Sequence, residues 1–520
     1  MKKIGRILSI LLTALALAGL TLASCTPEDI FETPDGEQEQ EQEQGQEQEQ
    51  EQGGDNDDDE ADDPDEPDNP DDDEIDPNAD PYTYINTEKY GQTYVYDPLY
   101  LPQMHLSVTQ SEWNALLSAY DSNNATTKQI HANLKFVKNG ETTAVNDVGL
   151  RLKGNVYSRK RPQSASSGRF KHVHYQLNLG KWVKDNDEKQ SIKGAQKICL
   201  KWFKDDPTYV REILVYNLFK DAGVWTASYN QYCQLYISVG GAAEKYLGIY
   251  DMIEHLDKQY LKSRKKLFGS SKGFLWKCRS GVSFSKTDDD IGADLDDGKE
   301  YRYELKTKTD SLAIAKKQLN NFISNYNKLT GTAFHDWVQE HMDVPLFLRT
   351  YAVIVAVGLW DDYWNDGNNC YCYFNSTDPV NYKFYFIPYD CDNTLGIGNS
   401  GCGNAGKYPA SQDPYNWGPS WRPLVYKLLK FSDFKAIYTA ELKRMIDSGE
   451  GIMDYDHATL KVKRLQSMIN RKVDNDTGED TSMYDGVPSW SSADKTYYLL
   501  KNSSDNYFKA KAASIQKYCK

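Results

Sequence analysis

The stretch VIVAVGLWDDYWNDGNNCYCYFNSTDPVNYKFYFIPYDCDNTLGIG, Val353 to Gly398, decides how the chain is read. It opens inside an apolar run, Leu346 to Leu359, that stops at a knot of carboxylates and amides: Asp361, Asp362, Asn365, Asp366, Asn368 and Asn369. Two β-type segments follow, Cys370–Phe374 and Tyr382–Pro388, and a second acidic pair, Asp390 and Asp392, comes straight after them. A hairpin between two acidic groups would set oxygen ligands face to face. Hard cations such as Mg²⁺ are held that way, with phosphate oxygens completing the shell. Asp/Asn-rich turns also arise with no ligand, because these side chains bond their own backbone. Pattern alone leaves both readings open.

Outward from this stretch the chain reads as α+β. Pro345–Leu359 is the apolar helix that delivers the first acidic knot. Upstream, Met104–Val108, Ile130–Val137, Val148–Lys153, Val173–Leu179 and Lys197–Trp202 have strand character. Pro207–Ala222 reads as a helix, with Asp206 as N-cap, Pro207 in its first turn and Gly223 past its end. Tyr229–Val239 and Tyr246–Ile253 alternate like strands around Gly240-Gly241, a hairpin looser than a two-residue loop. Asp257–Leu267, Ser311–Leu329, Pro423–Ile446, His457–Arg471 and Ser492–Tyr518 read as helices. A β-rich N-terminal part, mixed or antiparallel, therefore precedes a helical C-terminal part.

The first 80 residues are of another kind. Lys2, Lys3 and Arg6 precede an apolar run, Ile7 to Leu20, and Leu22-Ala23-Ser24-Cys25 looks like a bacterial lipobox. Residues 1–24 are thus expected to be a lipoprotein signal, with Cys25 acylated and the membrane reached through that anchor. Residues 36–80 hold 23 Asp and Glu and no Lys or Arg. Such a tract lacks the apolar surface to offset chain entropy, so 25–80 reads as an anchored, disordered acidic tether. From residue 81 on, 57 Lys and Arg face 49 Asp and Glu, a net charge of +8. The acidic pI of about 5.1 belongs to the tether, and the folded part (81–520, core about 100–450, helical extension 451–520) is mildly basic.

Eight cysteines follow Cys25. Their spacing fits no zinc knuckle, and a core of this size needs no disulfides, so most read as buried thiols. Cys391–Cys402 is the pair expected if a bridge forms. Phosphate-loop and dinucleotide fingerprints are absent. What remains for phosphate is the strand end at Leu150-Arg-Leu-Lys-Gly-Asn155, where Arg151 and Lys153 flank a small-residue turn. Lys201 on a strand and Glu212 on the next helix have the arrangement by which kinases orient a nucleotide, although surface charge pairs look the same in sequence.

Taken in order, VGLRLKGN, KICLKWFKDDPTYVREILVYNLFKDAGV, YLGIYDMIEHLDKQYL, GFLWK, LWDDYWNDGNNCYCYF and FIPYDCDNTLGIG resemble the CotH kinase family, of the spore-coat protein H type. The signature pieces are the R-x-K-G turn, the strand with Gly248, Tyr250 and Glu254, the strand with Asn369, Tyr371 and Tyr373, and the turn Pro388 to Asp392. The resemblance implies an atypical, two-lobed protein-kinase-like fold that binds ATP with Mg²⁺ or Mn²⁺ and phosphorylates Ser or Thr of secreted proteins. It implies Asp390 and Asn369 as metal ligands and Asp362 as the acid that receives the substrate proton. It sets Arg151, Lys153, Lys201, Glu212 and Glu254 around the nucleotide, with Glu254 where the lobes join. Asp361 and Asp366 remain alternatives for the base, because six residues separate Asp362 from Asn369 where ordinary kinases have four. HRD, DFG and GxGxxG are missing, and the family's usual Trp is Tyr389 here.

The expected partner is a protein substrate on or outside the cell envelope, and no nucleic-acid partner is expected. The outer membrane is the expected site of anchorage. A catalytically idle surface protein that binds glycan or host protein is the alternative, since 37 Tyr and 11 Trp suit a binding surface. An envelope component whose metal only staples the fold is a third reading.

Overall fold

The computed structural model describes residues 75–154, 159–184, 188–204, 206, 208–287, 290–295, 299–397, 410–469, 472–473 and 499–520. Cys25, the tether up to residue 74 and Cys402 lie outside them.

Seven strands close into a barrel in the order β1-β2-β3-β4-β5-β7-β6. They are β1 (Gln103–Val108), β2 (Ile130–Lys138), β3 (Glu141–Leu152), β4 (Tyr175–Asn178), β5 (Lys197–Trp202), β6 (Asn230–Val239) and β7 (Lys245–Glu254). Period-2 patterning drives closure: on β2, Ile130, Ala132, Leu134 and Phe136 are buried while His131, Asn133 and Lys135 are exposed. The barrel interior also takes Leu106, Leu150, Leu152, Tyr175, Leu177, Leu200, Leu235 and Met252. All neighbouring pairs are antiparallel except β1–β6, which seals the barrel in parallel.

Beside the expected helices, the C-terminal part carries the expected strand pair of the Cys370–Pro388 region and three further strands. It contains a five-stranded sheet, β12-β11-β8-β10-β9. Its strands are β8 (Phe274–Cys278), β9 (Ile291–Ala293), β10 (Tyr303–Leu305), β11 (Cys370–Phe374) and β12 (Phe384–Pro388). Around it pack the helices Leu312–Lys328, Gly331–His341, Val344–Val357, Ser432–Met445, Tyr455–Ile469 and Tyr507–Tyr518. They share one large core, and the last helix enters it through Tyr507, whose hydroxyl donates to the Ala356 carbonyl at 2.9 Å.

Several helix boundaries differ from expectation: Asp257–Leu267 divides into Lys258–Ser263 and Lys265–Phe268, and the last helix is Tyr507–Tyr518. The helix expected from Pro207 starts at Arg211, because Tyr209 sits at φ +57° and breaks the helical path. Asp206 still caps it, accepting the Val210 and Arg211 N–H groups at 3.0 and 2.9 Å. Pro423–Ile446 divides into Pro423–Leu428 and Ser432–Met445. Cys199, Cys233, Cys278, Cys370, Cys372, Cys391 and Cys519 are buried free thiols, as most were expected to be. Among the described residues no helix is long and apolar enough to cross a membrane.

Candidate active site

The site lies where the ends of β3, β4 and β5 face the turn after β12. Leu152, Tyr175 and Leu200 are in register and point into the barrel. One residue further along that register come Lys153, His174 and Lys201, which alternation sends to the outer face. The Lys153 N–H donates to the His174 carbonyl at 2.9 Å, so the alignment persists past the end of β4. Arg151 is on the same outer face and donates to Gln176 at 2.7 Å.

Lys201 is the centre of the charge arrangement. Its Nζ lies 2.9 Å from Glu212 on the Arg211–Asp221 helix and 3.1 Å from Asp392, and it also contacts Asp390. Burial alone would depress this amine, but Asp390, Asp392 and Glu212 outweigh it and hold its pKa well above the ordinary value. Burial pushes Glu212 the other way, upward, and Asp392 and Asp390 add to that rise. The turn itself is pinned twice. Cys391 N–H donates to Glu212 at 3.1 Å, and Leu395 N–H donates to the Val357 carbonyl at 2.8 Å.

The acidic knot hangs from the Val344–Val357 helix, which Asp343 caps and Gly358, at φ +68°, ends. Within it the two adjacent aspartates face opposite ways. Asp362 is 1% exposed, and its carboxylate accepts the Trp364 and Asn365 N–H groups at 3.0 and 2.9 Å and the Trp417 indole at 3.3 Å. Burial pushes this acid up to about 7. It is the peg around which the loop winds, and Arg422 clamps the loop by donating to the carbonyls of Trp364, Asn365 and Asp366. Gly367, at φ +73°, is required there: a Cβ would stand 2.8 Å from that guanidinium. Asp361 instead turns toward Asn368 and Asn369, whose amides donate to its two oxygens at 3.0 and 2.9 Å. Burial raises Asp361, and repulsion from Asp390, Asp366 and Asp392 raises it further, so it shares their field. Asp362, expected as the acid that receives the substrate proton, thus has its carboxylate engaged inside the loop, while Asp361 lies in the field of the second acidic pair.

Asn369 spends its Nδ2 on the Asp361 carboxylate and carbonyl, and among the described residues no donor reaches its Oδ1. Both Asn369 (φ +48°) and Asp390 (φ +58°) hold left-handed backbone, a cost of the kind that collects at functional sites. Among the described residues no group of three or more His, Cys, Asp or Glu forms a ready metal cage.

A family model described as CotH kinase protein matches residues 150–519. The chain belongs to the CotH kinase family. It is also similar to the inner spore coat protein H of Bacillus subtilis (strain 168), 25% identical over 259 residues. That match covers 50% of this chain and 64% of the relative.

Within the CotH chain, further contacts lay beyond sequence reasoning. Lys153 Nζ reaches across to the Tyr389 hydroxyl at 2.6 Å. Lys277, from GFLWK, stands 5.7 Å above the same ring, and burial lowers it to about 7 with Arg279 adding repulsion. The β8 strand was the signal for Lys277; nothing marked His174. Glu254 lies at the end of β7, where the chain leaves the barrel, but its carboxylate is fully engaged. Arg264 meets it at 2.9 and 2.7 Å, Gln92 at 2.8 Å and the Tyr229 N–H at 3.1 Å.

Proposed function

We propose that this chain is an atypical protein kinase that takes ATP with Mg²⁺ or Mn²⁺ and passes the γ-phosphoryl group to Ser or Thr of a protein on or outside the cell envelope. The observation that carries the reading is Lys201, a strand lysine gripped by Glu212 of the following helix and by Asp390 of the turn after β12. Protein kinases orient a nucleotide with that set of parts. In this reading the barrel is one lobe, the helical part with its sheet is the other, and the cleft between them is the nucleotide site.

Lys201, Lys153 and Arg151 bind and orient the phosphates. Lys153 and Arg151 have no carboxylate partner among the described residues, so an anion in the cleft meets cations that are not already paired. Asp390 and the Oδ1 of Asn369 would hold the divalent ion, which supplies charge neutralisation at the phosphate oxygens. Asp361 receives the proton of the substrate hydroxyl, and Asn368 and Asn369 fix its orientation. Asp362 holds the loop rather than the proton. Glu254 holds the strand end rather than the nucleotide.

Labelled ATP transfer by the purified chain with Mg²⁺ or Mn²⁺ tests this. Asp390→Asn should abolish both metal-dependent ATP binding and transfer. If that variant and Asp361→Asn keep full ATP affinity and transfer while folded, the kinase reading is lost and a binding surface takes its place.

The location is part of the same proposal. The relative's name assigns that protein to a spore coat, whereas the Leu22–Cys25 tetrapeptide favours a lipid anchor for this chain. Cys25→Ala should release the protein from membrane fractions. Retention in high salt would refute the anchor.

A further inference from the structure

His174 sits between the two lysines of the site, on the row Lys153–His174–Lys201, and nothing assigned so far uses it. The residue is 7% exposed. Nδ1 accepts the Trp202 N–H at 3.2 Å, taking a ladder bond that the end of β4 would leave open. A nitrogen that accepts carries no proton, so in the neutral ring the hydrogen sits on Nε2. That Nε2–H has no hydrogen-bond partner among the described residues. Around it stand Lys201 on β5, Lys153 on β3, Lys204 just past β5, and Asp390 on the facing turn.

We propose that His174 is a phosphate-positioning residue: its Nε2–H donates to a nucleotide phosphate oxygen lying between Lys153 and Lys201. The inference rests on the kinase reading above. Position follows from register, because a ligand gripped by Lys153 and Lys201 must pass beneath the residue between them. Direction follows from the Trp202 bond, which fixes the ring and the tautomer. Burial holds the ring well below its ordinary pKa, and Lys201 and Lys153 add to that. His174 therefore supplies a directed donor and not a third cation, leaving the positive charge to the lysines and the metal.

Two substitutions separate this role from a structural one. His174→Asn keeps an acceptor at the δ position for the Trp202 N–H but loses the ε donor. His174→Gln keeps a donor at the ε position. With the full chain, Mg²⁺ and either ATP, ADP or adenosine, His174→Asn should weaken ATP and ADP binding about 10-fold, one hydrogen bond to a charged acceptor. Adenosine affinity should stay unchanged, and His174→Gln should recover most of the loss. The KM for ATP should rise with little change in kcat. ATP bound as tightly by the Asn variant as by wild type overturns the proposal, and so does an equal loss for adenosine. If the Asn variant does not fold, the Gln variant decides: parallel losses for ATP and adenosine refute a phosphate role. Wild-type chain that binds no ATP would remove the kinase reading and this inference together. Binding by wild type with no effect of His174→Asn removes only the inference.

Discussion

The barrel carries two buried glutamate–cation pairs, and they differ in what is left over. Glu254 and Arg264 form a closed unit: two guanidinium contacts at 2.9 and 2.7 Å, Gln92 and a backbone N–H on the carboxylate, and Tyr260 4.1 Å beneath the arginine. Both oxygens of the Glu254 carboxylate have donors. Lys201 has the opposite condition, one ammonium shared by Glu212, Asp390 and Asp392. A satisfied pair fixes structure, while an over-subscribed one keeps a standing demand for more positive charge. In sequence both are simply a glutamate and a cation.

The largest effect should come from breaking the closed pair. Arg264→Met strands a buried carboxylate and should cost about 3–5 kcal/mol of stability by denaturant titration. Lys201→Met should cost far less, since Asp390 and Asp392 are partly exposed and all three carboxylates can take up protons, yet it should abolish ATP binding. Equal stability losses would erase the contrast between the pairs.

Next in size is the contrast within the acidic knot. Asp361→Asn should lower transfer by roughly 10²–10⁴-fold while ATP affinity holds within a few-fold. Asp362→Asn should instead lower the thermal midpoint and leave transfer measurable in the cold. The reverse pattern would restore Asp362 as the base.

Asp362 also gives a pH signature. Its folded pKa is raised from 3.8 to about 7 by burial, so folding favours the protonated acid. That contribution is fully present below pH 3.8 and is lost as pH rises through 7, a loss on the order of a few kcal/mol. The Asp362→Asn chain should show a flatter stability profile over that window. An unchanged slope would mean that the carboxylate is better solvated than its surroundings imply.

The smallest expected effect concerns the metal. Mg²⁺ alone should barely move the thermal midpoint, because among the described residues no group of three or more His, Cys, Asp or Glu stands ready for it. Mg²⁺ with ATP at about 100 times Kd should add about 2.7 kcal/mol. A large shift from Mg²⁺ alone would indicate a preformed cage.

Much of the fold was legible because the signals were local. Lys197–Trp202 has strand character and forms β5 with those bounds, and the Leu346–Leu359 run is a helix that ends at Gly358. The first half of β3 escaped notice because Glu141, Thr142 and Asn146 are exposed and lack an apolar face. The Asn139-Gly140 turn, with φ +49° and +79°, was the available hint. Strands β9 and β10 are three residues each, too short for a period to register. In the site, the Lys201–Glu212 pairing was readable from strand and helix spacing. Which of Asp361 and Asp362 faces outward was not, since that choice depends on Trp417 and Arg422 arriving from some 55 residues away. His174 gave no sign for the same reason: its meaning comes from cross-strand register and not from its neighbours in sequence.

The parallel closure of the barrel has a consequence for the order of assembly. β1 pairs on one side with β2, soon after it in the chain, but its other edge must wait for β6, Gln103 against Gln234. Hairpins β2–β3 and β6–β7 close short loops and can form early, whereas the β1–β6 seam closes a long one and pays its entropy late. Until then β1 has an open edge and the Leu106 face of the barrel is unsealed. The nascent chain is thus most exposed to mispairing in the interval before residue 239 is available, and the seam is where a folding helper would have most to protect.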